Sequence, residues 1–171
     1  MKTMDPVMGK MRPRAQLFRE VEFGVAGRLF CHSMPGRCEP VGATVAELKA
    51  WGVKRVVSLA PETDSNPYVT ALSEDVPWHH TSFHIPDYKV PNDSAKFIEL
   101  ARDIARALQA GERVLIHCGA GIGRTGVLAV AVGMACGLPL LQATRRVQSK
   151  GSGPENEEQK AFLRTVSQDL P

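Results

Sequence analysis

With 171 residues, 43% of them hydrophobic, the chain is long enough to bury a core and too apolar to stay disordered. A formal net charge of +3 suits an anionic partner but is too weak to argue for nucleic acid, and the basic pair Arg145-Arg146 belongs to no longer run. The four cysteines Cys31, Cys38, Cys118 and Cys136 form neither C-x-x-C nor a zinc spacing, which argues against a metal-stapled fold and for a reducing, cytoplasmic compartment.

The first 17 residues carry Pro6, Gly9 and Pro13 without any period and read as a flexible arm; residues 18–171 read as a single domain. The arm also lacks the apolar stretch of a signal peptide. Phe18 to Cys31 predicts a strand pair around Gly24 and Gly27, and His32 to Gly42 a loop with Pro35, Gly36 and Pro40. Thr44-Val45-Ala46-Glu47 has the form of a capping box opening a helix to about Trp51, where Gly52 stops it. Arg55 to Leu59 is a strand, Ala60 to Pro67 a polar loop with Asp64 near its middle, Tyr68 to Glu74 a short helix and Trp78 to Ile85 another strand. The segment Ile85-Pro86-Asp87-Tyr88-Lys89-Val90-Pro91 is held extended by its prolines and presents Asp87. Asp93 or Ser94 then caps a helix with Phe97, Ile98, Ala101, Ile104, Ala105 and Leu108 at helical spacing, stopped by Gly111.

The stretch Arg113 to Gly126, RVLIHCGAGIGRTG, organises the rest. Val114-Leu115-Ile116 predicts a buried strand, Gly119, Gly121 and Gly123 a tight turn, and the small apolar residues from Thr125 onward a buried helix. A strand, a glycine loop and a helix N-terminus together aim backbone N–H groups and the positive end of a helix dipole at one point, which makes an anion site. Gly119, Ala120, Gly121, Ile122 and Gly123 would supply the amides, and Arg124 a planar fork for two phosphate oxygens. Cys118, at a helix start beside a guanidinium, sits where cysteines serve as nucleophilic thiolates, and the Thr125 hydroxyl is placed to donate to the sulfur. Gly121 to Gly126 also matches the dinucleotide pattern G-x-G-x-x-G, but that reading needs an acidic residue on a following strand. None occurs between Arg113 and Lys150, so it is rejected.

Val127 to Leu141 is too short for a membrane span and is interrupted by Gly133, Gly137 and Pro139, so it reads as a core helix. Pro139 opens a helix to about Lys150; Gly151, Gly153 and Pro154 form a loop; and Glu155 to about Leu170 is the last helix, with Asn156 or the acidic first turn suiting its start. Alternating strands and helices predict an α/β domain: a central mixed, mostly parallel sheet with helices on both faces and the anion loop beyond the carboxyl end of the central strand.

The string His117-Cys118-x5-Arg124-Thr125 resembles the signature of cysteine-dependent protein phosphatases, and the lysine-free form AGIGRTG is similar to the small dual-specificity and tyrosine phosphatases. A weaker likeness extends from about Phe23 to Leu170. The resemblance implies a phosphocysteine intermediate and no metal or other cofactor. It implies Asp87 as general acid, with Asp64 as its rival, His117 as a support that holds the loop and tunes the thiolate, and Gln159 as the residue orienting the hydrolytic water. The implied substrate is a phosphorylated protein or peptide, phosphotyrosine preferred and dual specificity open, with neither nucleic acid nor membrane as partner. Without lysines the loop disfavours a highly anionic phosphoinositide; terminal RNA phosphates stay open. A phosphate-binding module without catalysis is the reading of a different class, but such modules usually lose the cysteine or the arginine that this chain keeps.

Overall fold

A computed structural model describes residues 17–72 and 78–171, without the side chain at position 66. The arm expected over 1–17 lies almost wholly outside the described residues, as does the end of the helix expected at 68–74. Strands β1 (Arg19–Val21), β2 (Arg28–His32), β3 (Arg55–Ser58), β4 (His79–Ser82) and β5 (Arg113–His117) form one sheet in the order β1-β2-β5-β3-β4. The hairpin β1–β2 is antiparallel and every other pairing is parallel, so the expected mixed, mostly parallel sheet is found with β5 at its centre.

Side-chain alternation on the three inner strands divides the core in two. Leu29 and Cys31, Val57, and Val114 and Ile116 face one side, packed under α3 (Ser94–Gln109), α4 (Gly123–Ala135), α5 (Leu140–Gln148) and α6 (Glu157–Val166). Phe30, Val56 and Leu115 face the other, under α1 (Val41–Ala50) and α2 (Glu62–Leu72). The expected helices on both faces are therefore present. The same period continues off the end of β5: His117 follows Leu115 toward α2, and Cys118 follows Ile116 toward α4. Helix α4 is apolar around its whole circumference and buried from Gly123 to Met134, as a helix enclosed by a sheet and three other helices must be. Among the described residues no helix is long and apolar enough to cross a membrane.

Two local expectations are corrected. Helix α1 starts at Val41, after Pro40, so Thr44 is inside it; the Thr44 hydroxyl turns back onto the Glu39 carboxylate and makes no capping box. Helix α2 starts at Glu62, where a polar loop was expected, because Glu62 and Asp64 suit its positive end and Ser65 Oγ bonds the Glu62 carbonyl. Pro67 is tolerated inside α2 on its exposed side, where the carbonyl left without a partner can face water. Elsewhere the caps match the reading. Asp93 accepts from Lys96 N, Asn156 accepts from Gln159 N, and Gly111 closes α3 at φ +88°.

Candidate active site

Between β5 and α4 the chain turns tightly around Cys118. Its sulfur accepts the Gly121 N–H at 3.2 Å and is almost wholly buried. Gly121 has φ +73°, and a Cβ there would lie 2.4 Å from the His32 carbonyl oxygen, so no side chain fits. A Cβ on Gly126 would lie 2.0 Å from Gly153 N, so α4 rests directly on the backbone of the 151–153 turn. The loop is also tied to its neighbours: Met34 N donates to Gly119 O, Leu59 N to His117 O and Gly153 N to Ile122 O.

A buried arginine from the opposite end of the sequence braces the loop from behind. Arg19 Nη2 donates to Gly121 O at 2.5 Å, while its Nη1 reaches Ser152 Oγ and Lys150 O; Ser152 Oγ also donates to Gly121 O at 2.7 Å. With two donors on one carbonyl, the Gly121–Ile122 peptide plane is fixed, and in a trans peptide the Ile122 N–H is thereby turned the opposite way. Neither Arg19 nor Ser152 was singled out from the sequence. The small residues Gly151-Ser152-Gly153 were the one local hint of close packing.

Arg124, on the first turn of α4, is 8% exposed. Its Nη1 donates to Ile85 O at 3.0 Å and its Nη2 meets Asp87 Oδ1 at 3.2 Å. The guanidinium thus joins the loop of Cys118 to the segment carrying Asp87, whose side chain is 67% exposed. The 86–89 turn is anchored in its own right. Asn156 Nδ2 donates to Tyr88 O at 2.8 Å, and Gln159 Nε2 lies 3.4 Å from Lys89 O. Gln159 is wholly buried, and its Oε1 accepts from Glu155 N. In this arrangement it braces the turn that carries Asp87 and does not face solvent. Asp64 sits exposed on the first turn of α2, beside Thr63. The Thr125 hydroxyl, expected to donate to the sulfur, is buried without a hydrogen-bond partner among the described residues.

His117 points to the other face of the sheet. Its Nδ1 bonds the Cys118 carbonyl, which can only accept, so Nδ1 carries the proton. In the neutral ring Nε2 is then an acceptor, and the Tyr68 hydroxyl donates to it while accepting from His80 Nε2 at 2.9 Å. Burial pushes the His117 pKa down to about 3, so the ring is a neutral structural link at working pH. The unfolded chain takes up this proton below about pH 6.5 and the folded chain does not until about pH 3. Stability should therefore fall as pH drops through that window, by up to about 1.4 kcal/mol per pH unit from this residue. Burial lowers His32 and His80 as well, with the same sign. Urea unfolding of the wild type and of His117→Asn at a series of pH values checks this: the variant should show the shallower acid limb, and parallel limbs would contradict it.

These elements belong to a recognisable whole. A family model described as "Swiss Army Knife protein, DSP-PTPase phosphatase domain" matches residues 19–168. The chain belongs to this phosphatase family. A stretch of 52 residues is 42% identical to Tyrosine-protein phosphatase 1 of Caenorhabditis elegans, covering 30% of this chain and only 5% of that much longer protein. The fold is shared more widely. The crystal structure of kinase associated phosphatase, with its catalytic-site cysteine substituted by serine, superimposes with TM-score 0.76 at 17% identity, over 89% of this chain and 94% of that one. A glycine-to-alanine mutant form of Tk-PTP gives TM-score 0.67 at 26% identity, over 90% and 97%.

Proposed function

We propose that this phosphatase domain hydrolyses phosphate monoesters on proteins or peptides, phosphotyrosine in preference to phosphoserine and phosphothreonine, in a reducing, cytoplasmic compartment. The reading is carried by one observation: Arg124 closes the loop of Cys118 and touches, at 3.2 Å, a carboxylate that enters from a different loop. Nucleophile, anion cradle and acid thereby converge, which a binding module does not require. Family membership and the named tyrosine phosphatase relative support the protein substrate.

In the first step the Cys118 thiolate forms an S–P bond as the P–O bond to the leaving group breaks, and Asp87, protonated, gives its proton to the departing oxygen. The amides of Gly119 to Gly123 and the Arg124 fork hold the three other oxygens, where charge spreads in the transition state. In the second step Asp87 takes a proton from water as the water oxygen bonds phosphorus and the S–P bond breaks. Gln159 holds the Asp87 turn in register through Lys89 and Glu155. Thr125, whose hydroxyl has no partner among the described residues, donates to the sulfur as it leaves.

The test is turnover of an aryl phosphate and of matched phosphotyrosine and phosphoserine peptides with a metal chelator present. Chelator-insensitive hydrolysis, faster on phosphotyrosine, is the expected result. Folded protein that hydrolyses none of the three would favour the binding module, and loss of activity to the chelator would contradict the mechanism.

A further inference from the structure

We propose that Arg37 is a specificity residue of this site, binding a carboxylate beside the phosphorylated residue of a peptide substrate; the inference rests on the phosphatase reading. Met34-Pro35-Gly36-Arg37 is a tight turn. Proline occupies its second place, Gly36 its third at φ +88°, and Arg37 N donates to Met34 O at 2.9 Å, the form of a type II turn. The turn is docked on the phosphate loop, because Met34 N donates to Gly119 O at 2.9 Å. Its last residue is thereby delivered to the mouth of the site.

Gly119 has no side chain, and Arg37 occupies the space one would take. Arg37 Nη1 lies 2.9 Å, and Arg124 Nη2 3.4 Å, from the point where a Cβ on Gly119 would stand. Two guanidinium groups thus flank the residue that follows the nucleophile. That of Arg124 is held by Ile85 and Asp87. Arg37 is exposed, and among the described residues its guanidinium has no hydrogen-bond or ion-pair partner. The nearby carboxylate of Glu39 is engaged by Thr44 and Gly36 N. Like charges held this close repel unless an anion comes between or beside them, and an arginine fork matches a carboxylate with two parallel hydrogen bonds. The lysine-free loop therefore does not leave the site with a single cation: a second reaches it from the β2–α1 connection. One extra charge fits one carboxylate, whereas a headgroup with several phosphates would call for more.

The experiment measures binding in the Cys118→Ser background, by calorimetry, with phosphotyrosine peptides carrying Glu or Gln on either side of the phosphorylated residue. With Arg37 present the Glu peptide should bind roughly tenfold more tightly than the Gln peptide. Arg37→Ala should remove most of that ratio, Arg37→Lys should keep part of it, and added salt should shrink it. An equal loss on both peptides, no loss on either, or an Arg37-dependent preference seen only with phosphoinositide vesicles would each overturn the proposal. Turnover of the same peptides by the chain with Cys118 intact separates the two levels. Turnover without a Glu preference removes the Arg37 proposal alone, and no turnover removes the phosphatase reading and this inference with it.

Discussion

Replacing Cys118 with serine is expected to abolish turnover, by about 10⁴-fold or more, while leaving phosphate binding largely in place. The sulfur is the only group in the loop able to attack phosphorus, and a serine hydroxyl with no base beside it is a poor nucleophile at neutral pH. Binding is expected to rest on other atoms: the loop amides, among which the Gly121–Ile122 peptide is held by Arg19 and Ser152, and the Arg124 fork. The smaller oxygen can still accept the Gly121 N–H, so the loop should keep its shape. Single-turnover hydrolysis and phosphate titration of the two proteins check both halves. Retained turnover in Cys118→Ser would end the phosphocysteine mechanism. Lost binding with turnover equally lost would mean that the sulfur holds the loop together as well as reacting.

Asp87→Ala is expected to slow hydrolysis of alkyl and simple phenyl phosphates by roughly 10²–10⁴-fold, and that of p-nitrophenyl phosphate far less, since a stabilised phenolate departs without a proton. The leaving-group dependence separates proton donation from mere positioning. Arg124 keeps its bond to Ile85 O when Asp87 is removed, so a loss confined to binding would not track the leaving group. Asp64→Ala is the control: it sits exposed on α2 beside Thr63, and its removal should change little. A larger effect from Asp64 than from Asp87 would transfer the role of acid to α2.

The sequence by itself determined the elements whose signals are local. Val114-Leu115-Ile116 had to be a buried strand, the glycines after it a turn that no larger residue could make, and the residues from Thr125 a helix enclosed on all sides, because each follows from side-chain period, size and φ range. That was enough to place Cys118 and Arg124, with five residues between them, around a candidate anion site, and the alternation along β5 sends His117 and Cys118 to opposite faces. The start of α2 differs from the reading because Pro67 is accommodated inside the helix, and the Thr44 box because α1 already starts at Val41, so that the Thr44 hydroxyl donates to Glu39 and accepts from no helix-end N–H.

Only the tertiary structure decided which distant groups complete the site. Arg19 and Ser152 are 133 residues apart, yet they share the Gly121 carbonyl. Tyr68 meets His117 across 49 residues, and Gln159 meets Lys89 across 70. Asp87 was preferred to Asp64 on family likeness, and the contact with Arg124 depends on which loop the parallel sheet brings to the carboxyl end of β5. Arg37 carries no motif at all. Its place over Gly119 comes from a turn docked by one backbone hydrogen bond. Hydrogen bonds and charges act between neighbours in space, and a linear pattern records only neighbours along the chain, so the groups proposed to react carried a motif and the groups that pack around them did not.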